Sequence, residues 1–202
     1  MIYEKCCTSA EQVRDALTRG LNRAELCEDL SCGGVTPSEE LVREAVATGL
    51  PINVLVRPRG GDFVYDEAEV QQMLESIELC GRCGARGVVI GALTPEGSVD
   101  VPLMTRLVAA ARTHSLSVTF HRAFDVCRDP VSALEEVIGL GCDRLLTSGC
   151  APSAWEGREL LARLAALAAG RIIIMPGAGV TTDIARALAA LCPLTEFHGT
   201  RL

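Results

Sequence analysis

Aromatic residues are scarce in this chain: one Trp, two Tyr and four Phe make up 3% of 202 residues. The interior must therefore be built from aliphatic side chains and cysteine rather than stacked rings. Lysine is nearly absent, a single Lys5 beside eighteen scattered arginines, and the net charge is −7. An acidic chain without a basic patch is not built for nucleic acid. No apolar stretch approaches the roughly 18 residues needed to cross a bilayer, so no membrane partner is expected. The opening, Met1-Ile-Tyr-Glu-Lys-Cys-Cys7, lacks the layout of an export signal. A soluble, cytoplasmic protein is the resulting expectation.

The chain is 49% hydrophobic, enough to bury a core without staples. Its length suits one domain spanning 1–202, and no linker or shift in composition divides it. Ten cysteines are many for this size. In a reducing compartment they are thiols. The one CxxC, Cys80-Gly-Arg-Cys83, ends a helical pattern and reads as packing.

Short β-branched runs alternate with helical ones. Strands are predicted at 2–7, 23–27, 52–57, 87–93, 117–121, 143–148, 171–175 and 195–198. Helices are predicted at 10–19, 38–48, 66–83, 102–113, 130–140, 153–169 and 181–191. Strict alternation predicts an α/β fold with a parallel sheet, and eight units predict a TIM (β/α)8 barrel. After the eighth strand only Gly199-Thr-Arg-Leu202 remain, so the last helix is lacking. An exposed apolar groove over strands 8 and 1 is expected, with a homodimer or larger assembly covering it. Lys5, on that outer face, is expected to meet solvent.

Alternate strand residues face a barrel's lumen, and catalytic groups gather at strand C-terminal ends. This brings Glu4, Glu25, Arg57, His121, Glu196 and His198 toward one end. Such a cluster is either an internal salt-bridge network or a ligand or metal site. Cys6 and Cys27 end adjacent strands and also face inward. They would grip a soft ion such as Cu(I), or simply pack as small hydrophobes. Arg57-Pro-Arg59 in a glycine-containing loop suits a carboxylate or phosphate, or Arg57 pairs with Glu25 or Glu4. Gly177 and Gly179, after strand 7, lie where this fold commonly binds phosphate, or form a tight turn. His121 and Asp125 share one loop and offer a base and a carboxylate.

Several runs together resemble one family: Glu4-x-Cys6, Glu25-Leu-Cys27, Gly33-Gly-Val-Thr-Pro37, Arg57-Pro-Arg-Gly-Gly-Asp-Phe63, Gly91-Ala-Leu-Thr94, Phe120-His-Arg-Ala-Phe-Asp125, Leu146-Thr-Ser-Gly149, Met175-Pro-Gly-Ala-Gly179 and Glu196-Phe-His198. In order and over nearly the whole chain, they are similar to the CutC copper-homeostasis family. The resemblance implies a TIM barrel, a cytoplasmic location, self-association and Cu(I) binding, with Cys6 and Cys27 at the positions of the family's proposed copper cysteines. It also implies a further helical segment after strand 8, which this chain lacks.

Two functions follow. The first is copper handling through Cys6 and Cys27. The second is a lyase, isomerase or hydrolase acting on a small anionic or phosphorylated metabolite. There Glu25 or His121 is the base, Asp125 supplies a carboxylate, Arg57 and Arg59 clamp the anion, and Gly177, Gly179 and His198 complete its site. A variant reading places a divalent ion such as Mn or Zn among Glu4, Glu25, His121 and His198.

Overall fold

A computed structural model describes residues 1–202. The strands are β1 (Ile2–Cys7), β2 (Arg23–Leu26), β3 (Ile52–Leu55), β4 (Gly87–Ile90), β5 (Ser117–Phe120), β6 (Arg144–Thr147), β7 (Ile173–Pro176) and β8 (Glu196–Gly199). Between them lie α1 (Ala10–Thr18), α2 (Glu39–Val46), α3 (Glu67–Cys83), α4 (Val101–Thr113), α5 (Pro130–Gly139), α6 (Arg158–Ala168) and α7 (Thr182–Leu191). All strand pairs are parallel, in the order β7-β6-β5-β4-β3-β2-β1-β8. β7 and β8 lie against each other without a hydrogen-bonded ladder. The fold is the α/β TIM-type barrel that the alternation predicts, nearly closed and wrapped by seven helices.

Local chemistry sets the helix starts. Ser9, Ser38, Asp66, Asp100, Asp129 and Thr181 each accept a backbone N–H of the first turn, and Asp66 with Glu69 completes a capping box. α6 begins at Arg158, not at the predicted Ser153. The run between is folded over the end of β6, where Gly157 packs on Gly149. A Cβ on Gly157 would stand 1.9 Å from the Ser148 carbonyl oxygen, so only glycine permits that approach. Five strands (β2, β3, β4, β5 and β6) end earlier than predicted. The residues beyond them, Cys27, Arg57 and His121 among them, belong to the loops at the barrel mouth.

Two apolar bodies result. A cluster of 47 buried residues fills the space between sheet and helices. A small one, Cys6, Cys27, Leu55 and Val89, lies inside the barrel. The expected open groove over β8 and β1 is absent. Phe197 and Cys7 are 0% exposed, and Leu202 of the terminal tail is buried beside them in the core. Lys5 is not free in solvent but donates to Asp15 of α1 at 2.6 Å. The folded chain thus lacks the apolar groove that motivated self-association there.

Charged groups hold the deep lumen. Arg23 donates through Nε to Glu4 Oε2 and through Nη2 to Glu196 Oε2, both at 2.5 Å. Arg144 Nε reaches the same Glu196 oxygen at 2.8 Å, and Asn53 Nδ2 reaches Glu4 Oε2 at 2.8 Å. Nη2 of Arg23 also lies 3.1 Å from Met175 Sδ, so this one guanidinium spans β1, β2, β7 and β8. Replacing one member of a buried ion network leaves its partners uncompensated, typically at a cost of about 3–5 kcal/mol. Arg23→Leu should therefore lose about 3–5 kcal/mol in urea denaturation. Arg43→Ala, which breaks an exposed pair on α2, should leave the midpoint unchanged. Equal, small effects would show that the network is not holding the barrel.

Candidate functional site

Strand register builds the site floor. Cys6 is paired with Glu25, and Glu4 with both Arg23 and His198. Cys27 follows β2, its N–H donating to the Cys7 carbonyl at 3.1 Å. The two sulfurs stand 3.6 Å apart, hydrogen-bonded and buried. Gly34 closes over them at φ 92°, where a Cβ would lie 2.9 Å from Leu55 and 3.6 Å from Cys27 Sγ. Its left-handed backbone and missing side chain are both required.

Above the thiols opens a cavity of about 280 Å³, which also takes in Glu25, His198, His121, Arg57 and Gly179. His198 Nδ1 meets Glu4 Oε1 at 2.9 Å and stands 3.9 Å from Glu25 Oε2. Burial disfavours its charge, but the Glu25 and Glu4 carboxylates and a contact with the Cys6 thiol hold its pKa well above the usual histidine value. Burial also works against the Glu4 charge, yet the hydrogen bond with His198 and the Arg23 cation hold that carboxyl at about 2. Glu25 is pushed up to about 7 by burial, with the His198 cation opposing and the Glu4 charge adding. Its Oε2 has no hydrogen-bond partner. The Cys6 thiol is raised by its hydrogen bond with Cys27 and by burial.

His121 is held by different forces. Gly91 makes room for its ring, since a Cβ there would stand 2.5 Å from His121 Nδ1. Its Nδ1 accepts the Ala123 N–H at 3.2 Å, and Nε2 has no partner. Burial and the Arg57 cation lower its pKa to about 3, so the ring is neutral and Nε2 carries the hydrogen.

Two candidate catalytic residues are tied into structure. Arg57 donates to the carbonyls of Cys32, Gly34 and Gly61 at 2.8–3.1 Å and stacks on Phe63, riveting the loops after β2 and β3. It pairs with neither Glu25 nor Glu4. Asp125 accepts from Thr147 Oγ1, from the Ser148 and Cys150 N–H groups and from Arg122, clasping the loops after β5 and β6. It does not line the cavity. Arg59 is no part of an anion clamp, because Glu69 and Asp62 hold it outside. The Gly177 N–H is already given to the Thr147 carbonyl at 3.0 Å, so Gly177 cradles nothing. Ligand atoms of Cys6, Glu25 and Cys27 lie within 4.8 Å of one another, as do those of Glu4, Glu25 and His198. His121 joins neither group, so the four-residue divalent site is not assembled.

The model of the CutC family matches residues 1–202. The chain belongs to the CutC family. Proteins named CutC from Parabacteroides distasonis and Pasteurella multocida are 52% and 47% identical over 199 residues, covering 98% of this chain and 81% of each relative. The crystal structure of the Streptococcus agalactiae CutC, named for copper homeostasis, superimposes with a TM-score of 0.91 at 31% identity, covering 100% of this chain and 99% of that one. A phosphonomutase-like structure from Burkholderia cenocepacia, at 17% identity and TM-score 0.72, shares the fold alone.

In this chain the cavity also uses residues that sequence reasoning did not name as site candidates: Phe63, Ala178 and Thr200. Ala178 carried a signal in its Pro-Gly-Ala-Gly setting and holds φ 69°. Nothing in the sequence marks Phe63 as the lid on Arg57.

Opposed titrations in the site make a pH prediction. Unfolded, a histidine takes its proton below about 6.5, whereas folded His121 stays neutral down to about 3. Its contribution to stability is therefore lost as pH falls through that window. Folded Glu25 keeps its proton up to about 7, whereas unfolded it loses it above about 4.5. Its contribution is lost as pH rises, so the two oppose between pH 4.5 and 6.5. Glu25→Gln should uncover a stability that rises with pH by at most about 1.4 kcal/mol per unit. His121→Phe should uncover the opposite slope. Urea denaturation across this range tests it, and slopes of the same sign in both variants would sink it.

Proposed function

We propose that this protein handles copper, with Cys6 and Cys27 binding Cu(I) as thiolates at the floor of the barrel mouth. The observation that carries the reading is the pair of buried sulfurs 3.6 Å apart, facing the cavity. Soft thiolates at low coordination number suit Cu(I). Glu25 lies within reach of both sulfurs, and His198 touches Cys6.

Binding replaces the thiol hydrogen bond by two metal–sulfur bonds and releases two protons. The raised Cys6 thiol makes that release unfavourable in the empty site, so a strongly thiophilic ion is needed to drive it. The family membership and the name of the Streptococcus agalactiae relative agree with this reading. The ten cysteines are free thiols, which suits a reducing compartment, and the proposed location is the cytoplasm. No helix is long and apolar enough to cross a membrane.

Anaerobic Cu(I) titration against a competing chelator tests the proposal. The parent should take up one equivalent. Cys6→Ser with Cys27→Ser should weaken binding at least ~100-fold, the loss of two soft donors. Cys127→Ser with Cys150→Ser should bind as the parent does. A Cys6/Cys27 variant that still binds as tightly would remove the thiol pair from the function.

A further inference from the structure

We propose that the mouth of this cavity binds a compact organic oxyanion, a phosphate or carboxylate, that also carries a hydroxyl group. The inference does not depend on the copper reading, although the two share Glu25 and His198, because its donors, His121, Arg57 and the Ala178–Gly179 amides, lie above the thiols.

Buried polar groups are normally paired, and each exception asks for a partner. His121 Nε2–H and Arg57 Nε–H are buried donors with no acceptor, on residues 5% and 6% exposed that line the cavity. The backbone N–H groups of Ala178 and Gly179 also face no protein acceptor. These two sit at φ 69° and 71°, in the loop after β7 where barrels of this kind commonly receive phosphate. Successive free N–H groups in a tight turn form an anion-binding concavity. The loop is fixed rather than loose. The Ala178 carbonyl accepts the Ala154 N–H at 3.0 Å, and a Cβ on Gly199 of β8 would stand 2.5 Å from the Val180 carbonyl oxygen.

Charge points the same way. Of the cations on the cavity wall, Arg122 is paired with Asp125 and His198 with Glu4, whereas the Arg57 guanidinium meets only carbonyl oxygens and keeps its charge uncompensated. An oxyanion complements this cation and the free donors. Glu25 Oε2 is the one buried acceptor without a donor on this wall, and a ligand hydroxyl complements it. A volume of about 280 Å³ lies just below the roughly 300–1,000 Å³ of drug-sized sites, so the ligand is compact.

The test uses the native, copper-free, 15N-labelled protein at neutral pH. It is titrated separately with glycerol 3-phosphate, lactate, inorganic phosphate and glycerol. The hydroxylated anions should shift the Ala178 and Gly179 amides and the His121 ring to saturation, and glycerol should not. Which of the first two binds identifies phosphate or carboxylate. The hydroxylated anion should bind about tenfold tighter than inorganic phosphate, the worth of one hydrogen bond to a charged partner. His121→Phe should weaken it by about tenfold, since one donor is lost. No saturation at these amides by either hydroxylated anion at about 10 mM, a Kd range already weaker than ordinary metabolite binding, would overturn the site. Equal affinity for inorganic phosphate and glycerol 3-phosphate would overturn the hydroxyl contact with Glu25.

Discussion

One guanidinium, that of Arg23, closes the barrel where the backbone does not. β7 and β8 meet without a ladder, and Arg23 joins β1, β2, β7 and β8 from the inside through Glu4, Glu196 and Met175. Two carboxylates at this depth are tolerable only because cations and amide donors surround them. Glu196 accepts from both Arg23 and Arg144, and Glu4 has Arg23, Asn53 and His198. The consequence runs upward through the lumen. With Glu4 held ionised, its second oxygen orients His198, and the Glu25 and Glu4 carboxylates together hold that ring's pKa well above the usual histidine value. His198 then stands beside Glu25 and Cys6, at the floor of the cavity.

Above this floor the loops are tied down by residues whose chemistry looks reactive. Arg57 spends three N–H groups on carbonyls of two loops, and Asp125 gathers four donor residues from two others. Both make the mouth rigid, and rigidity is what a site on loops must gain from elsewhere. The groups left unpaired after this accounting are few: Glu25 Oε2, His121 Nε2 and Arg57 Nε on the cavity wall. Buried groups without partners destabilise a protein, so their concentration on one wall is informative.

Much of this was legible in the residue pattern. Alternation of two and of 3.6 yields the strands, the helices and the barrel. The in-out alternation along β1, β2, β3 and β8 places Glu4, Cys6, Glu25, Asn53 and His198 in the lumen, where they are found. What the pattern does not contain is which polar groups are already satisfied. Arg59 follows Arg57 by two residues and looks equivalent, but Glu69 at the start of α3 holds it away. Gly177 looks like part of a phosphate loop, yet its N–H bonds to Thr147 on a strand thirty residues earlier. The groove over β8 and β1 is filled by Leu202 and shielded by α1, contacts that only the folded chain reveals. Each misreading has the same origin: pairing across loops is set by three-dimensional closure, not by spacing.

The thiol floor and the polar wall share Glu25 and His198, and this sharing constrains any function built on them. A positive ion bound by Cys6 and Cys27 would draw Glu25 toward itself and reduce its availability to a hydroxyl above. An oxyanion above would compete with Glu25 and Glu4 for the charge of His198. Two ligands that use the same side chains must alter each other's affinity by the same factor, whichever binds first. Opposite charges in one low-dielectric cavity attract, whereas competition for Glu25 opposes. Attraction across the cavity acts over its whole width, but the contest over Glu25 acts at contact distance, between groups within 4.8 Å of one another. If both proposed ligands bind, each would therefore change the other's affinity through Glu25.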